Sequence, residues 1–132
     1  MKVGVTGTRS GMTEKQFREV NLFLITYDGK ELHHGDCVGV DVEVAMMAGD
    51  LGYRVVSHPP IQKELQAFHA SDEVREPLSY FARNRKIVDE CDVLLVLPYQ
   101  KEHQNHGGTW YTHDYAVKKG KPVVVFYGDP KE

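Results

Sequence analysis

A short glycine-containing segment near the start of the chain, Gly7 to Gly11 (GTRSG), joins a β-rich run to a helical pattern. Glycines permit a tight turn and a close approach of the backbone to a ligand. N–H groups at the start of a helix favour an anion, and Arg9, beside Thr8, can add a two-pronged contact to phosphate or carboxylate. The segment is neither a complete GxGxxG fingerprint nor a P-loop, so a plain turn with a surface arginine is the alternative.

A second glycine-bearing loop follows in the stretch HHGDCVGVD. Gly35 and Gly39 are predicted to let successive backbone N–H groups form a nest for a phosphate. Asp36 or Asp41 is predicted to accept hydrogen bonds from ribose hydroxyls. In the alternative interpretation, Asp36 caps the next helix and the two histidines are partly exposed strand residues.

A third group, Arg83-Asn84-Arg85, lies in a helical pattern. Two arginines that are two positions apart point about 200° apart on a helix, so they cannot face one site together. We assign Arg83 to ligand binding, with Asn84 reading a base or a backbone edge, and expect the other arginine to be solvated or paired. A charged helix face is the alternative.

A fourth group, Gly107-Gly108-Thr109, stands where a helical pattern begins, and its N–H groups and hydroxyl suit a phosphate. Trp110 is predicted to anchor the helix to the core, with stacking on a base as the alternative. His103 and His106, on the preceding loop, are candidate proton carriers, although a solvated loop is the favoured interpretation.

Composition narrows the function classes. The net charge of −3 and pI near 6.1 argue against bulk nucleic-acid binding, which needs a basic surface. Cys37 and Cys91 have no zinc-type spacing, so we expect reduced thiols, no metal and no cofactor. No apolar run approaches the roughly 20 residues that span a bilayer, and no signal peptide is evident, which predicts a cytoplasmic protein without a membrane partner.

Periodicity supplies the elements that must position these residues. Strands are predicted at residues 2–6, 31–34, 53–57, 92–97 and 122–126, and helices at residues 14–25, 41–51, 80–90 and 109–119. Thr13 is the expected cap of the first helix. The apolar face of the first two helices is predicted to contain Phe17, Val20, Phe23, Leu24, Val44, Ala45, Ala48 and Leu51.

The alternation of strands and helices predicts one α/β domain over all 132 residues. We expect three layers, Rossmann-like, with a parallel sheet of about five strands and helices on both faces. Residues 58–77 have no clear period, and whether residues 61–76 form a lid is left open. In such sheets ligands bind at the carboxyl ends of the strands, which selects the loops 7–11, 35–40 and 98–110.

Three segments occur in an order seen in known proteins: HHGDCVGVD, YFARNRKIVDECDVLLVLP and GGTWYTHDYAVKKGKPVVVF. They resemble the SGGxxGxD loop, the RRNR helix with its following strand, and the GSxxTA helix with its last strand of the DNA-processing protein DprA (Smf). That protein belongs to a superfamily with the nucleotide-sensing SLOG domains and the lonely guy (LOG) phosphoribohydrolases. With its opening segment GVTGTRSGMT, the chain also resembles a group of small bacterial and phage proteins of this type.

One departure from the LOG pattern concerns catalysis. The LOG motif PGGxGTxxE has a glutamate three residues after its threonine, and counting from Thr109 that position holds Thr112. The nearest carboxylate, Asp114, lies two residues further on, about 200° around the helix. Asp36 and Asp114 are therefore kept as candidate catalytic residues, with Asp41 as a possible substitute.

Three functions follow as hypotheses. The first is a nucleotide-binding module that senses or sequesters a small ligand. The second is an N-glycosidase acting on a nucleoside 5′-monophosphate, in which a carboxylate stabilises the sugar cation. The third, ranked last because of the net charge, is single-stranded DNA binding by analogy with DprA. The resemblance also implies a homodimer.

Overall fold

The computed structural model describes residues 1–128. The strands are β1 (Lys2–Gly7), β2 (Glu31–His34), β3 (Arg54–Ser57), β4 (Glu73–Val74), β5 (Val93–Leu97) and β6 (Val123–Val125). The helices are α1 (Glu14–Thr26), α2 (Val40–Asp50), α3 (Tyr80–Glu90) and α4 (Gly108–Lys118). Within the described residues, no helix combines the length and the apolar character that a membrane span requires.

All six strands form one sheet in the order β4-β3-β2-β1-β5-β6, and every pairing in it is parallel. The order reverses between β1 and β5, which pair from Val3↔Val93 to Gly7↔Leu97. The predicted Rossmann-like α/β fold is confirmed. The reversal places a crevice beyond the carboxyl ends of β1 and β5, where such sheets bind ligands.

The strand absent from the sequence-based prediction is β4, which falls inside residues 58–77. It pairs with β3 through Val56↔Glu73 and Ser57↔Val74 only. Two residues are too short to show a period, so no pattern marks this edge strand.

The core has two layers, one on each face of the sheet. Alternate residues of β5 belong to different layers: Val93, Leu95 and Leu97 pack with α1 and α2, whereas Leu94 and Val96 pack with α3 and α4. Burial on both faces explains why this strand is entirely apolar.

The buried face of α1 differs from the prediction at its start. Thr13 caps the helix as predicted, and Val20 and Leu24 are buried, but Phe17 is 51% exposed. Gln16 is buried instead, because its side-chain amide donates to the carbonyl oxygens of Pro98 and Phe126 at 2.8 and 2.7 Å. Leu51 is also exposed, since α2 ends one residue before it.

Candidate functional site

A cavity of about 480 Å³ opens at the carboxyl ends of β1 and β5. It is lined by residues from all four regions that the sequence singled out. These are Gly7, Thr8, Arg9, Asp41, Arg83, Asn84, Gly107, Gly108 and Thr109. Because β1 and β5 are neighbours in the sheet, segments that are about a hundred residues apart in the chain line the same cavity.

The first two predicted loops pack against each other. The N–H of Val40 donates to the carbonyl oxygen of Thr8 at 3.1 Å. A Cβ on Gly39 would lie 2.6 Å from that same oxygen, and Gly39 has a φ of +95°. Gly39 is therefore a packing glycine that does not line the cavity, and the first N–H group of α2 is used within the protein.

The start of α1 is also satisfied internally. The hydroxyl of Thr13 accepts from the N–H of Gln16, and the Gln16 side chain accepts from the N–H of Thr13. This reciprocal capping occupies donors that the sequence interpretation offered to an anion. The first loop consequently contributes Thr8 and Arg9 to the cavity, rather than the helix terminus.

The start of α4 is different, because its cap residue, Gly107, has no side chain to accept from the first turn. The first N–H groups of a helix have no partner within it. A Cβ on Gly108 would meet no heavy atom of the described structure within 4 Å. Glycine at this position leaves open space beside N–H donors, an arrangement that suits an oxyanion.

Arg83 is the buried cation of the site, with only 4% of its surface exposed. Its guanidinium donates to the carbonyl oxygens of Gly35 and His58 and lies over the ring of Tyr80, 5.6 Å from the centroid. Arg85 points elsewhere and donates to the hydroxyl of Tyr111 at 2.8 Å. The two arginines thus diverge as the helical geometry predicts.

Asp41 is the buried carboxylate of the cavity wall. Burial raises the pKa of Asp41 to about 6, although the charge of Arg83 and the N–H groups of Cys37 and Gly35 oppose the increase. A carboxyl group with a pKa this close to neutrality can both accept and release a proton at physiological pH.

The two carboxylates proposed as catalytic, Asp36 and Asp114, do not line this cavity. Asp36 is buried and accepts from the N–H of His69 at 2.9 Å and from the side chain of Gln66 at 3.0 Å. Asp36 therefore fastens residues 66–69 and does not cap α2, whose cap is Gly39. Asp114 is exposed on α4, and its carboxylate is hydrogen-bonded to the rings of His103 and His113.

Gly35 also lies outside the cavity lining, but directly behind it. Some lining residues have no distinctive sequence signal, namely Thr6, Cys37, Leu65, Tyr80 and Phe81. Pro98, Tyr99, Gln100 and His106 also line the cavity and belong to the loop 98–110, which the sequence selects because it follows a buried strand. Of these four, only His106 is singled out individually by the sequence, as a candidate proton carrier. Trp110 is buried, as expected, and also lines the cavity, with its indole N–H donating to Gln100.

Neither a protein-family model nor a curated protein sequence matches the chain. Solved structures do match. The molybdenum cofactor binding protein from the phototrophic bacterium Rippkaea orientalis gives a TM-score of 0.73 at 21% identity, over 97% of this chain and 77% of that chain. The Moco carrier protein from Chlamydomonas reinhardtii gives 0.68 at 23% identity, over 98% and 77%.

A structural-genomics target, TM1055, gives a TM-score of 0.65 at 24% identity, over 92% of this chain and 71% of that chain. At these identities the likeness concerns the fold. The chain has the Rossmann-like α/β fold of these three proteins, in agreement with the fold that the sequence predicts.

Proposed function

We propose that this protein binds a nucleotide-derived small molecule in the cavity at the carboxyl edge of its sheet, as a carrier, sensor or sequestering module. The observation that carries the proposal is the pairing of two anion-binding features on one cavity wall. The uncapped start of α4 at Gly108 supplies N–H donors, and the buried guanidinium of Arg83 supplies a fixed positive charge.

The remaining wall suits the heterocyclic part of such a ligand. The rings of Tyr80, Phe81, Tyr99 and Trp110 line the cavity, and aromatic faces stack on planar heterocycles. A volume of about 480 Å³ falls within the usual range for pockets that hold molecules of this size. Arg9 and Asn84, which also line the cavity, are further proposed ligand contacts.

Two solved structures of this fold support the ligand class, because their names identify them as a molybdenum cofactor binding protein and a Moco carrier protein. That cofactor is accordingly one candidate ligand for this chain. Nucleoside phosphates, NAD and ADP-ribose are others with the same combination of a planar ring and an oxyanion.

The test is a thermal-shift screen against nucleoside mono-, di- and triphosphates, cyclic nucleotides, NAD, ADP-ribose and the molybdenum cofactor, followed by calorimetry on any hit. A ligand at about 100 times its Kd adds roughly 2.7 kcal/mol to the unfolding free energy. We expect a shift confined to one ligand group. A flat response across the panel at millimolar ligand contradicts the proposal.

The variant Gly108→Ala tests whether the oxyanion of the ligand binds at the start of α4. The added methyl group meets no protein atom, so we expect the fold to be retained and ligand affinity to fall about tenfold, since the methyl group stands where the oxyanion approaches. Gly49→Ala is the matched control, because Gly49 is also helical and does not line the cavity. Unchanged affinity in Gly108→Ala would place the anion elsewhere.

A second candidate function, N-glycosidic cleavage of a nucleoside 5′-monophosphate, is favoured by Asp41. Its carboxyl group lines the cavity and has a pKa raised by burial, which suits proton transfer or stabilisation of a sugar cation. We expect free base to be released by the wild type and not by Asp41→Asn. If no base is released from any monophosphate, binding without turnover is left as the function.

Single-stranded DNA binding and a homodimer, both expected from the sequence resemblance, remain predictions. Single-stranded DNA binding would show steep salt dependence, and a homodimer would appear by light scattering.

A further inference from the structure

A cluster of two histidines and one carboxylate lies where the loop 98–107 meets α4. Nε2 of His103, from the loop, lies 2.8 Å from Oδ1 of Asp114, and Nδ1 of His113 lies 2.7 Å from the same oxygen. The three ligand-type atoms all lie within 4.8 Å of one another. None of these side chains lines the cavity described above or has a part in the proposed nucleotide binding.

From this geometry we propose that His103, His113 and Asp114 form a binding site for a borderline divalent cation, of the Zn²⁺ or Ni²⁺ type. Two imidazole nitrogens and one carboxylate oxygen are the donors that such ions prefer, whereas Mg²⁺ and Ca²⁺ prefer oxygen alone. Neighbouring donors around Zn²⁺ lie about 3.3 Å apart, since each bond is about 2.0–2.2 Å long. The two distances from the histidine nitrogens to Oδ1 of Asp114, 2.8 and 2.7 Å, need to lengthen by only about half an ångström to reach this spacing.

Access and charge are also suitable. The side chains of His103, His113 and Asp114 are 41%, 18% and 55% exposed, so an ion can enter from solvent and keep water at its open positions. A single carboxylate partly neutralises a divalent cation without assembling several like charges. The sequence does not reveal this set, because His103 comes from a loop and precedes His113 and Asp114 by ten and eleven residues.

A second cluster, His33, His58 and Glu90, is less suitable. Nδ1 of His33 is hydrogen-bonded to Nε2 of His58 at 2.8 Å, and Nε2 of His33 is hydrogen-bonded to Glu31 at 2.9 Å. Both ring nitrogens of His33 are therefore already engaged. Glu90 forms an ion pair with Arg75 at 2.7 Å, and a positive charge beside a buried site repels a cation.

Metal binding at the proposed site would also fix part of the cavity wall. Trp110, which lines the cavity, packs against His103 and His113 with ring centroids 4.6 and 5.2 Å apart. The same loop carries Tyr99 and Gln100 of the wall. An ion that joins His103 to α4 would therefore hold these residues in one arrangement.

Trp110 provides the test, because it is the only tryptophan of the chain and lies against both rings. Ni²⁺ quenches a neighbouring indole, so we expect saturable, 1:1 quenching of tryptophan fluorescence by Ni²⁺ and competition by Zn²⁺. His113→Ala and Asp114→Asn should each weaken Ni²⁺ binding by about tenfold or more. His106→Ala, a change at another exposed histidine of the same loop, should leave it unchanged.

Circular dichroism and thermal unfolding in EDTA check that the variants fold. Quenching that persists in both His113→Ala and Asp114→Asn would show that the ion binds elsewhere and overturns the proposal. The absence of saturable quenching of the folded wild type at millimolar Ni²⁺ also overturns it. Neither outcome depends on whether a nucleotide binds the cavity.

Discussion

Arg83 on α3 donates a hydrogen bond to the carbonyl oxygen of Gly35, the residue that follows β2. A Cβ on Gly35 would lie 2.5 Å from Nη1 of Arg83 and 2.8 Å from Oδ2 of Asp41. Gly35 does not line the cavity, but the absence of a side chain there leaves the space that the guanidinium of Arg83 and the carboxylate of Asp41 occupy.

Gly35→Ala is expected to displace the guanidinium of Arg83 and to lower the free energy of unfolding by about 1–3 kcal/mol, the usual cost of overpacking. Affinity for the nucleotide that best stabilises the wild type should fall with it. Chemical denaturation and calorimetry measure the two effects, with Gly49→Ala as the control. Full affinity in this variant would separate Arg83 from ligand binding.

Asp36→Asn is expected to loosen the segment after β3 rather than to act on chemistry. The carboxylate accepts from the N–H of His69 and from the side chain of Gln66, and an amide retains only one accepting oxygen. We expect a loss of about 1–3 kcal/mol in stability and faster hydrogen exchange at His69. Asp50→Asn, at an exposed position, is the control.

If Asp36→Asn instead abolished base release while exchange at His69 stayed slow, the carboxylate would have a catalytic role.

Asp41 gives the protein a pH dependence opposite to that of most carboxylates. Its pKa is about 6 in the folded state against an ordinary value of 3.8, so the native state binds more protons between these pH values. The contribution of Asp41 to stability is complete below pH 3.8 and is lost as the pH rises through 6. Asp41→Asn should therefore gain stability relative to the wild type as pH rises from 4 to 7, by about 2 kcal/mol.

Urea denaturation of both proteins at several pH values measures this difference. A difference that is constant between pH 4 and 7 would contradict the raised pKa of Asp41.

Acid should nevertheless weaken the fold through His34. Its Nδ1 accepts from the N–H of Asp36 at 3.0 Å, which requires a neutral ring, and burial lowers the pKa of His34 to about 3. Since this value lies below the ordinary 6.5, the stabilisation is present above pH 6.5 and is lost as the pH falls towards 3. Burial lowers the pKa of His58 to about 3 as well.

In His34→Asn, the slope of the unfolding free energy against pH should be smaller in this range. The reduction is at most about 1.4 kcal/mol per pH unit, the value for one proton. Denaturation between pH 4 and 6.5 checks the slope, with the exposed His106→Ala as the control. An unchanged slope in His34→Asn would show that the ring is already protonated in the native state.

The sequence by itself determined the layers and the position of the crevice. Strand and helix periods, the all-apolar run of β5 and the turn glycines suffice for this, because burial on one or two faces leaves a direct trace in the order of side chains. It also brought Arg83 and Gly108 into the prediction, since an arginine on a helix and glycines at a helix start are recognisable locally.

Only the tertiary structure decided the roles of the aspartates and glycines. Whether a carboxylate faces a cavity or fastens a loop depends on contacts between segments distant in sequence, such as that of Asp36 with His69. The same holds for Gly39 against Thr8, and for His103 beside Asp114. Local periodicity records which side of an element is buried, but a partner contributed by another element leaves no mark on it, so these assignments required the folded chain.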